Sequence, residues 1–270
     1  MRFRAPATSA NLGPGFDCAA CAFELWNELE LADGNGVTVE GEGAEELAAD
    51  VTNLAVRAYA LLADPAGKRF HFVNRIPLER GLGSSAAAIA LGLTAARPEA
   101  TLEELLEAGL ELEDHADNLA AALVGGVTLA WGGSATRIAA RLPLEAIAVI
   151  PRERTSTKES RTGLPPSISH ADAAATASRA AMLGASVVSG DVDLFVKALG
   201  DHLHEPYRPS AVLENVRAEL PTGARGATLS GSGPTVIVWA EAVERCAAEL
   251  RSRFADHDIL PLAIAASGSL

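Results

Sequence analysis

Aromatic residues are scarce in this sequence, at 4% of 270 residues, although hydrophobic residues make up 49%. Its core must therefore be built mainly from Leu, Val, Ile and Ala. Long apolar runs are missing as well, because none reaches the roughly 20 residues of a membrane span. The first residues, MRFRAPATSAN, also lack the apolar stretch of a signal peptide. These absences predict a soluble, cytoplasmic, globular protein with one large domain or two modest ones.

Basic residues are few, and the formal net charge is −13. Nucleic acids and anionic membranes require a basic surface, so the charge argues against both as partners. A nucleotide such as ATP is not excluded, because local N–H groups and a few cations act within a screening length of about 8 Å. The acid excess itself is typical of a soluble surface.

Cysteine is also rare, with three residues in the chain. Cys18 and Cys21 form a CxxC pair, which elsewhere would suggest a redox centre or half of a zinc site. Here they lie in an apolar string, DCAACAFELW, and Cys246 has no CxxC partner. We therefore expect free thiols, mostly in the core.

The most informative segment present is PLERGLGSSAAA, from Pro77 to Ala88. Gly81 and Gly83 let the backbone bend and approach a ligand closely. The alanine-rich run that begins at Ser84 predicts a helix, whose first N–H groups would point at that ligand. The segment is typical of a phosphate-binding loop.

Two other glycine-loop motifs are similar in sequence, but each requires a feature that this segment lacks. A Rossmann fingerprint in its GxGxxA form needs a strand directly before Gly81 and an acidic strand end about 20 residues later. Instead, Pro77, Glu79 and Arg80 precede the loop, and the acids at that distance lie within a helical pattern, TLEELLEAGLELE. A Walker A loop needs a lysine after the glycines, which is absent.

The remaining pattern alternates strands and helices and predicts an α+β protein. A helix is expected from Ser84 to Ala96, ending before Pro98, and an acidic helix from Leu102 to about Glu113. Leu144 to Ile150 predicts a strand that opens a second domain. A loop is expected over residues 151–169, where the composition becomes polar and contains Pro165 and Pro166.

Three segments in order carry a family resemblance. APATSANLGPGFD opens the chain, PLERGLGSSAA follows in the middle, and ATLSGSGPTVIVWA lies near the end. Together they resemble the signature motifs of the small-molecule kinases that include galactokinase, homoserine kinase, mevalonate kinase and phosphomevalonate kinase. The opening segment is most similar to the homoserine kinase branch, and so are HADN, STKESR and HEPYR, which begin at His115, Ser156 and His204.

The resemblance implies a two-lobed fold with the active site between the lobes. Residues 1–143 would form the ATP-binding lobe and residues 144–270 the C-terminal lobe. It further implies ATP and Mg²⁺ as cofactors, phosphorylation of the side-chain hydroxyl of L-homoserine, and a possible homodimer. Two alternatives stay open: a kinase of another small alcohol or acid, and a non-catalytic regulatory member.

For ATP and the metal, the resemblance implies a set of positions along the chain. Asn53 would contact adenine, although an Asn there could equally cap a helix. The phosphates would be bound by Gly81, Leu82, Gly83, Ser84, Ser85, Gly231, Ser232 and Gly233. Mg²⁺ takes few protein oxygens. The candidates are Ser84 or Ser85 with Glu111, while Glu107, Glu113 and Asp114 are alternatives on the same acidic stretch.

For the alcohol, the resemblance implies that Arg161 and Arg208 bind the homoserine carboxylate, as guanidinium groups suit that anion. Its hydroxyl and amino ends would be contacted by Asn11, Asp17 and Asp117. The residues implied in catalysis are Asn118, Asp117, Lys158 and Thr157. Asn118 cannot take up a proton, so a dedicated general base is not assigned; Asp117 or Lys158 could assist. His115 and His204 are expected to be structural or hydrogen-bonding residues.

Overall fold

The computed structural model describes residues 1–155 and 157–270, with the side chains of residues 157–159 excluded. Its first sheet has six strands: β1 (Arg2–Asn11), β2 (Gly15–Asp33), β3 (Gly36–Gly41), β4 (Lys68–Asn74), β5 (Val127–Trp131) and β6 (Ser134–Ala139). The order is β3-β4-β2-β5-β6, with β1 also paired to β2. All pairs are antiparallel except the parallel pair β3 and β4.

Four helices accompany the first sheet: α1 (Leu54–Ala60), α2 (Ser84–Ala96), α3 (Leu102–Gly109) and α4 (Ala116–Val124). Helix α2 is mostly alanine and leucine, and most of its residues are buried. It crosses α1 closely, since a Cβ added at Gly92 would collide with the backbone of Ala55 and Tyr59. Small residues thus bring α2 deep into the first lobe, with its N-terminus at the loop before Ser84.

The second sheet contains β7 (Glu145–Ile150), β8 (Ala224–Leu229), β9 (Val236–Ala240) and β10 (Asp258–Leu262), in the order β10-β7-β9-β8. The other helices are α5 (Thr157–Thr162), α6 (His170–Ser189), α7 (Val192–Ala198), α8 (Ala211–Ala218) and α9 (Val243–Arg253), with a short 3₁₀ turn at Glu205–Tyr207. Two sheets, each accompanied by helices, form the predicted α+β architecture.

The predicted division at 143/144 falls between β6 and β7, which lie in different sheets. One hydrophobic cluster nevertheless spans the division, since it contains Phe23 and Leu91 as well as Ala146 and Trp239. The chain end also returns to the first lobe, where Leu270 N donates to Leu123 O at 2.8 Å. The division into an ATP-binding lobe of residues 1–143 and a C-terminal lobe of residues 144–270 therefore stays a prediction.

Several local expectations can now be compared with the structure. Helix α2 is confirmed from Ser84 to Ala96; it ends where Arg97, the residue before Pro98, turns to extended backbone. The acidic helix is shorter than expected, because α3 ends at Gly109. The expected loop over 151–169 contains the helix α5. Strand β1 was not predicted, since its alternation is masked by apolar residues on both faces.

Cys21 and Cys246 are buried and Cys18 is half-buried, and all three are free. Among the helices that the structure describes, not one combines the length and hydropathy of a membrane span.

Candidate active site

A cavity of about 290 Å³ opens where the loop before α2, the turn after β1 and the end of α5 meet. Its charged lining comprises four carboxylates, two guanidinium groups and one imidazole: Asp17, Glu79, Glu113, Asp117, Arg161, Arg208 and His115. Acids outnumber fixed cations in this lining. A ligand set that includes a metal ion or an ammonium group therefore fits it.

The loop before α2 forms one wall of the cavity. Gly83 takes a left-handed conformation, with φ of 68°, and no side chain caps the helix N-terminus behind it. A Cβ at Gly83 would collide with Thr8 Oγ1, and one at Gly81 would lie 2.8 Å from Gly233 O. The loop can keep this path only with glycine at both positions, and Ser84 and Ser85, the first two residues of α2, line the cavity.

The third glycine-containing segment closes against the same loop. Ser230 Oγ lies 2.6 Å from Gly81 O and 2.8 Å from Ser9 Oγ, and Gly231 N donates to Ala10 O at 3.2 Å. Gly231 and Ser232 line the cavity beside Gly81. The structure thus brings together the three segments that the sequence singled out, although they are far apart along the chain.

Of the expected metal ligands, Ser84 and Ser85 lie at the cavity and Glu111 does not. Helix α3 ends at Gly109, and the turn that follows leaves Glu111 exposed and outside the lining. The same turn directs Glu113 into the cavity, where burial raises the pKa of its carboxyl. Glu111 was implied by the family resemblance, whereas the geometry favours its alternative Glu113; which of the two binds a metal stays a prediction.

Asp117 and Asn118 lie on the first turn of α4, at the floor of the cavity. Asp117 is only 3% exposed, and burial raises the pKa of its carboxyl to about 6. Thr8 Oγ1 donates to Asn118 Oδ1 at 2.6 Å. This bond fixes the amide so that its NH₂ group is the end available to a ligand. Sequence reasoning missed Thr8, whose position opposite α4 has no sequence signal.

Arg161 and Asp17 form a two-pronged ion pair across the cavity. Arg161 Nη1 donates to Asp17 Oδ2 at 3.1 Å, and Nη2 donates to Oδ1 at 2.5 Å. His115 Nε2 lies 3.7 Å from the same carboxylate. Asp17 itself is held in a left-handed turn, with φ of 53°. A carboxylate and a guanidinium are thus placed side by side, 144 residues apart in sequence.

Arg208 reaches the same cavity from the other lobe and is 6% exposed. No carboxylate pairs with it among the described residues; its Nη1 contacts His204 Nδ1 and Gly231 O, each at 3.1 Å. Burial and the nearby Arg161 charge lower the pKa of Arg208. The Cζ atoms of Arg161 and Arg208 lie 5.3 and 5.5 Å from the centre of one Phe16 ring. The two arginines therefore do converge, as a shared carboxylate site requires.

The side chain of Asn11 is engaged within the protein. Its Nδ2 donates to Gly231 O at 3.0 Å, and its Oδ1 accepts from Asp17 N at 3.1 Å. Asn11 lines the cavity, but these bonds match its alternative role as a turn-stabilising residue. A contact between Asn11 and a substrate stays a prediction.

Asn53 is placed away from this cavity, beside a second one of about 80 Å³ that also reaches Ser84 and Ser85. Its side chain caps α1, accepting from Ala55 N at 3.0 Å and donating to Ala48 O at 2.9 Å. The helix-cap alternative is thus what the hydrogen bonds show. The apolar lining, which includes Leu54, Phe72 and Leu91, suits a flat heterocycle such as adenine.

Four more residues were expected at the site: Leu82, Gly233, Thr157 and Lys158. Leu82 is fully buried, and its carbonyl accepts from Thr8 N at 3.0 Å, so it holds the loop in place. Gly233 supports the loop through the close approach to Gly81. The side chains of Thr157 and Lys158 lie outside the described residues.

The fold and the cavity define a kinase of the GHMP class, which is a superfamily of small-molecule kinases. The model of the GHMP kinases N terminal domain matches residues 53–126, and that of the GHMP kinases C terminal matches residues 179–256. These ranges include the loop before α2, Asp117 and Arg208.

Similarity to individual proteins shows which family of this class the chain belongs to. A homoserine kinase of Streptomyces coelicolor is 42% identical over 265 residues, covering 90% of this chain and 85% of that protein. One of Desulfitobacterium hafniense is 39% identical over 255 residues, covering 88% and 86%. The crystal structure of homoserine kinase from Cytophaga hutchinsonii superposes with a TM-score of 0.85 at 25% identity, covering 99% and 96%. The chain belongs to the homoserine kinase family of GHMP kinases.

Proposed function

We propose that this protein transfers the γ-phosphoryl group of ATP to the side-chain hydroxyl of L-homoserine, giving ADP and O-phospho-L-homoserine, a step of threonine biosynthesis. The observation that carries the proposal is the cavity itself. It sets a glycine-built anion loop beside two arginines and an aspartate that suit the two charges of an amino acid. Membership in the homoserine kinase family supports the same substrate.

ATP and Mg²⁺ fit the first half of the cavity. The helix N-terminus at Ser84 suits a polyphosphate, and Gly81 and Gly83 let the loop before it pack against Thr8 and Gly233 without a side-chain collision. A metal ion would be bound by one serine hydroxyl, from Ser84 or Ser85, and by the Glu113 carboxylate. When bound, the ion neutralises charge on the phosphates, which is the main electrostatic demand of phosphoryl transfer.

Homoserine fits the second half. Its carboxylate would be bound by Arg208, which has no acidic partner among the described residues, and by Arg161. Its ammonium group would be bound by Asp17. Binding thus replaces the Arg161–Asp17 pair by two substrate contacts of the same kind. Both charges of the substrate are needed, because either alone leaves one member of that pair without its counterion.

The hydroxyl proton requires an acceptor near the floor of the cavity. We assign this role to Asp117, because its carboxyl lies on the first turn of α4 at the floor of the cavity, and burial raises its pKa to about 6, nearer to neutral pH than that of a free carboxyl. Asn118, fixed by Thr8, would orient the hydroxyl as a hydrogen-bond donor. Positioning accounts for most of the catalysis, since the transition state of phosphoryl transfer is loose.

The test is a panel of acceptors assayed for ATP turnover with Mg²⁺. L-homoserine should give ADP and a phosphomonoester, whereas 4-hydroxybutyrate, without the ammonium, and 3-aminopropanol, without the carboxylate, should react poorly. Turnover with mevalonate or galactose but not with homoserine would instead identify a sister kinase. Binding of ATP without turnover of any acceptor would identify a non-catalytic member.

Two further expectations accompany the proposal. A homodimer is expected, and light scattering of the purified protein would measure its molar mass in solution. A cytoplasmic location is expected as well, to be measured by cell fractionation.

A further inference from the structure

His204 lies directly behind Arg208 and has no part in the chemistry described above. Its side chain is completely buried. One ring nitrogen, Nδ1, lies 3.1 Å from Arg208 Nη1, and the other, Nε2, lies 2.9 Å from Gly13 O. The imidazole therefore bridges the opening segment of the chain and the arginine that the proposed function assigns to the homoserine carboxylate.

These two contacts fix the protonation state of the ring. A guanidinium group can only donate, so Nδ1 must accept; a carbonyl oxygen can only accept, so Nε2 must donate. His204 is thus a neutral imidazole with its proton on Nε2. Asp201 Oδ2, 3.6 Å from Nε2, is a second acceptor on that side. Burial lowers the pKa of His204 in spite of that carboxylate, in agreement with the neutral form.

The ring also sets the plane in which the arginine lies. The rings of His204 and Phe16 stack, with centroids 5.1 Å apart and an interplanar angle of 19°. The guanidinium carbon of Arg208 lies 5.5 Å from the Phe16 centroid. His204 Nδ1 and Gly231 O both engage Nη1, whereas the buried Nε atom has no hydrogen-bond partner among the described residues.

We propose that His204 is a positioning residue for homoserine recognition: its Nδ1 atom holds the Arg208 guanidinium in one orientation before the substrate carboxylate arrives. The proposal rests on the proposed function for the identity of the anion. An arginine that is already oriented loses little rotamer freedom on binding, so the gain appears in substrate affinity. The effect is on binding of homoserine and not on the phosphoryl transfer itself.

Two conservative variants separate the two ring nitrogens. In His204→Asn the amide oxygen can take the place of Nδ1 and accept from Arg208, while the contact to Gly13 is lost. In His204→Gln the amide nitrogen can take the place of Nε2 and donate to Gly13 O, while the acceptor for Arg208 is lost. Both variants lose the stacked ring, so each is the control for the other's loss of packing.

His204→Gln should raise the KM for homoserine about tenfold, the value of one charge-assisted hydrogen bond, with little change in kcat or in the KM for ATP. His204→Asn should stay within about twofold of the wild type. Equal increases in the two variants, or a larger one for Asn, would show that the ring serves only packing or Gly13 and would overturn the proposal.

A matched control is available at His202, which contacts Arg179 in the same segment but outside the cavity. His202→Asn should leave the KM for homoserine unchanged. The protonation state of the His204 ring is checked independently by ¹⁵N NMR of the histidines in the wild-type protein. A proton on Nδ1, or a charged ring at pH 7, would contradict the proposal. That readout needs no substrate, so it distinguishes failure of this proposal from failure of the homoserine assignment.

Discussion

The two ends of the cavity are built in different ways. At the phosphate end, a contiguous loop from Gly81 to Ser85 supplies backbone groups, and its shape follows from two glycines with positive φ. At the alcohol end, Asp17, Arg161 and Arg208 come from three distant segments and supply charged side chains. The first kind of site is encoded locally, and the second exists only after the lobes have packed together.

The difference has an energetic side. Backbone N–H groups at a helix start are already dipolar and cost little to expose to a ligand. A buried guanidinium without a counterion costs considerably more, and the lowered pKa of Arg208 reflects that cost. Changes at the alcohol end should therefore have large and substrate-specific effects, whereas changes at the phosphate end should impair ATP binding with every acceptor.

The largest effect is expected at the arginines. Arg208→Met and Arg161→Met should each lower kcat/KM for homoserine by about 30-fold to several thousand-fold, because a charge-assisted partner of the carboxylate is worth about 2–5 kcal/mol. Turnover of 3-aminopropanol, which has no carboxylate, should change little. Steady-state kinetics with both acceptors measures this difference.

The control for the arginines is Arg225→Met, which breaks exposed ion pairs to Asp193 and Glu241 and should leave kinetics unchanged. If the two cavity variants lose as much on 3-aminopropanol as on homoserine, these arginines hold the fold or the nucleotide instead.

The next effect is expected at the phosphate loop. Gly83→Ala should lower kcat/KM at least about a hundredfold with every acceptor, because displacing the phosphates by an ångström is enough for such a loss. The Cβ would collide with Thr8 Oγ1 and push the loop outward. Titration of the nucleotide, followed by fluorescence or calorimetry, measures the loss of affinity.

Gly190→Ala is the matched control for this loop. Gly190 has a similar φ of 73° at the end of α6, but no atom lies within 4 Å of an added Cβ. Both variants carry the backbone strain of a left-handed alanine, about 1–2 kcal/mol, so both should melt earlier. Equal kinetics in the two variants would mean that strain and not the collision matters.

A third effect concerns stability and pH. Burial raises the pKa of Asp117 from 3.8 to about 6, so the folded protein binds this proton more tightly than the unfolded chain. The group therefore favours folding at low pH and disfavours it increasingly between these two pKa values. Asp117→Asn should lose activity, yet raise the free energy of unfolding at pH 7 by about 1–3 kcal/mol.

Urea unfolding at several pH values measures this change. The gain should shrink as the pH falls from 6 to 4 and vanish below about pH 3, where the wild-type carboxyl is protonated in both states. The exposed neighbour Asp114, changed to Asn, should show no such gain. A variant Asp117→Asn that is less stable than the wild type at pH 7 would show that the carboxylate has a stabilising partner.

The smallest effect compares two acids of one turn. Glu113→Gln should raise the Mg²⁺ concentration for half-maximal activity about tenfold, since one charged ligand is lost. Glu111→Gln should leave it unchanged, because that side chain is exposed and outside the cavity. Activity measured over a Mg²⁺ titration decides between them, and the opposite ranking would restore Glu111 as the ligand.

The sequence alone predicted much of the phosphate end, because its signals are local. Glycines with a serine pair before an alanine-rich run predict a loop and a helix start, and α2 begins at Ser84 as expected. The α+β class followed from the alternation of strand and helix patterns, and the kinase family was implied by the resemblance of three ordered motifs. Asn53 shows the limit, since helix capping and nucleotide binding favour the same residue.

Which acidic side chain faces the cavity could not be predicted from the sequence, for a physical reason. A run of acidic residues continues the helical pattern past Gly109, and only the packing of α3 and α4 decides that the chain turns there. That turn exchanges Glu111 for Glu113 at the cavity. Glu111 and Glu113 are only two positions apart, yet one is exposed and the other lines the cavity. Composition carries no information about so small a difference in position.

By itself, the sequence determined the elements with short-range causes: the glycine loop, the helix behind it, the alanine-rich core and the family motifs. The tertiary structure alone decided that Asp17 and Arg161 pair, that Phe16 lies beside both arginines, and that His204 contacts Arg208. These contacts join segments more than 100 residues apart, apart from the local pair of His204 and Arg208. Charges so far apart in the chain come together only because burial of the shared core fixes how the two sheets meet.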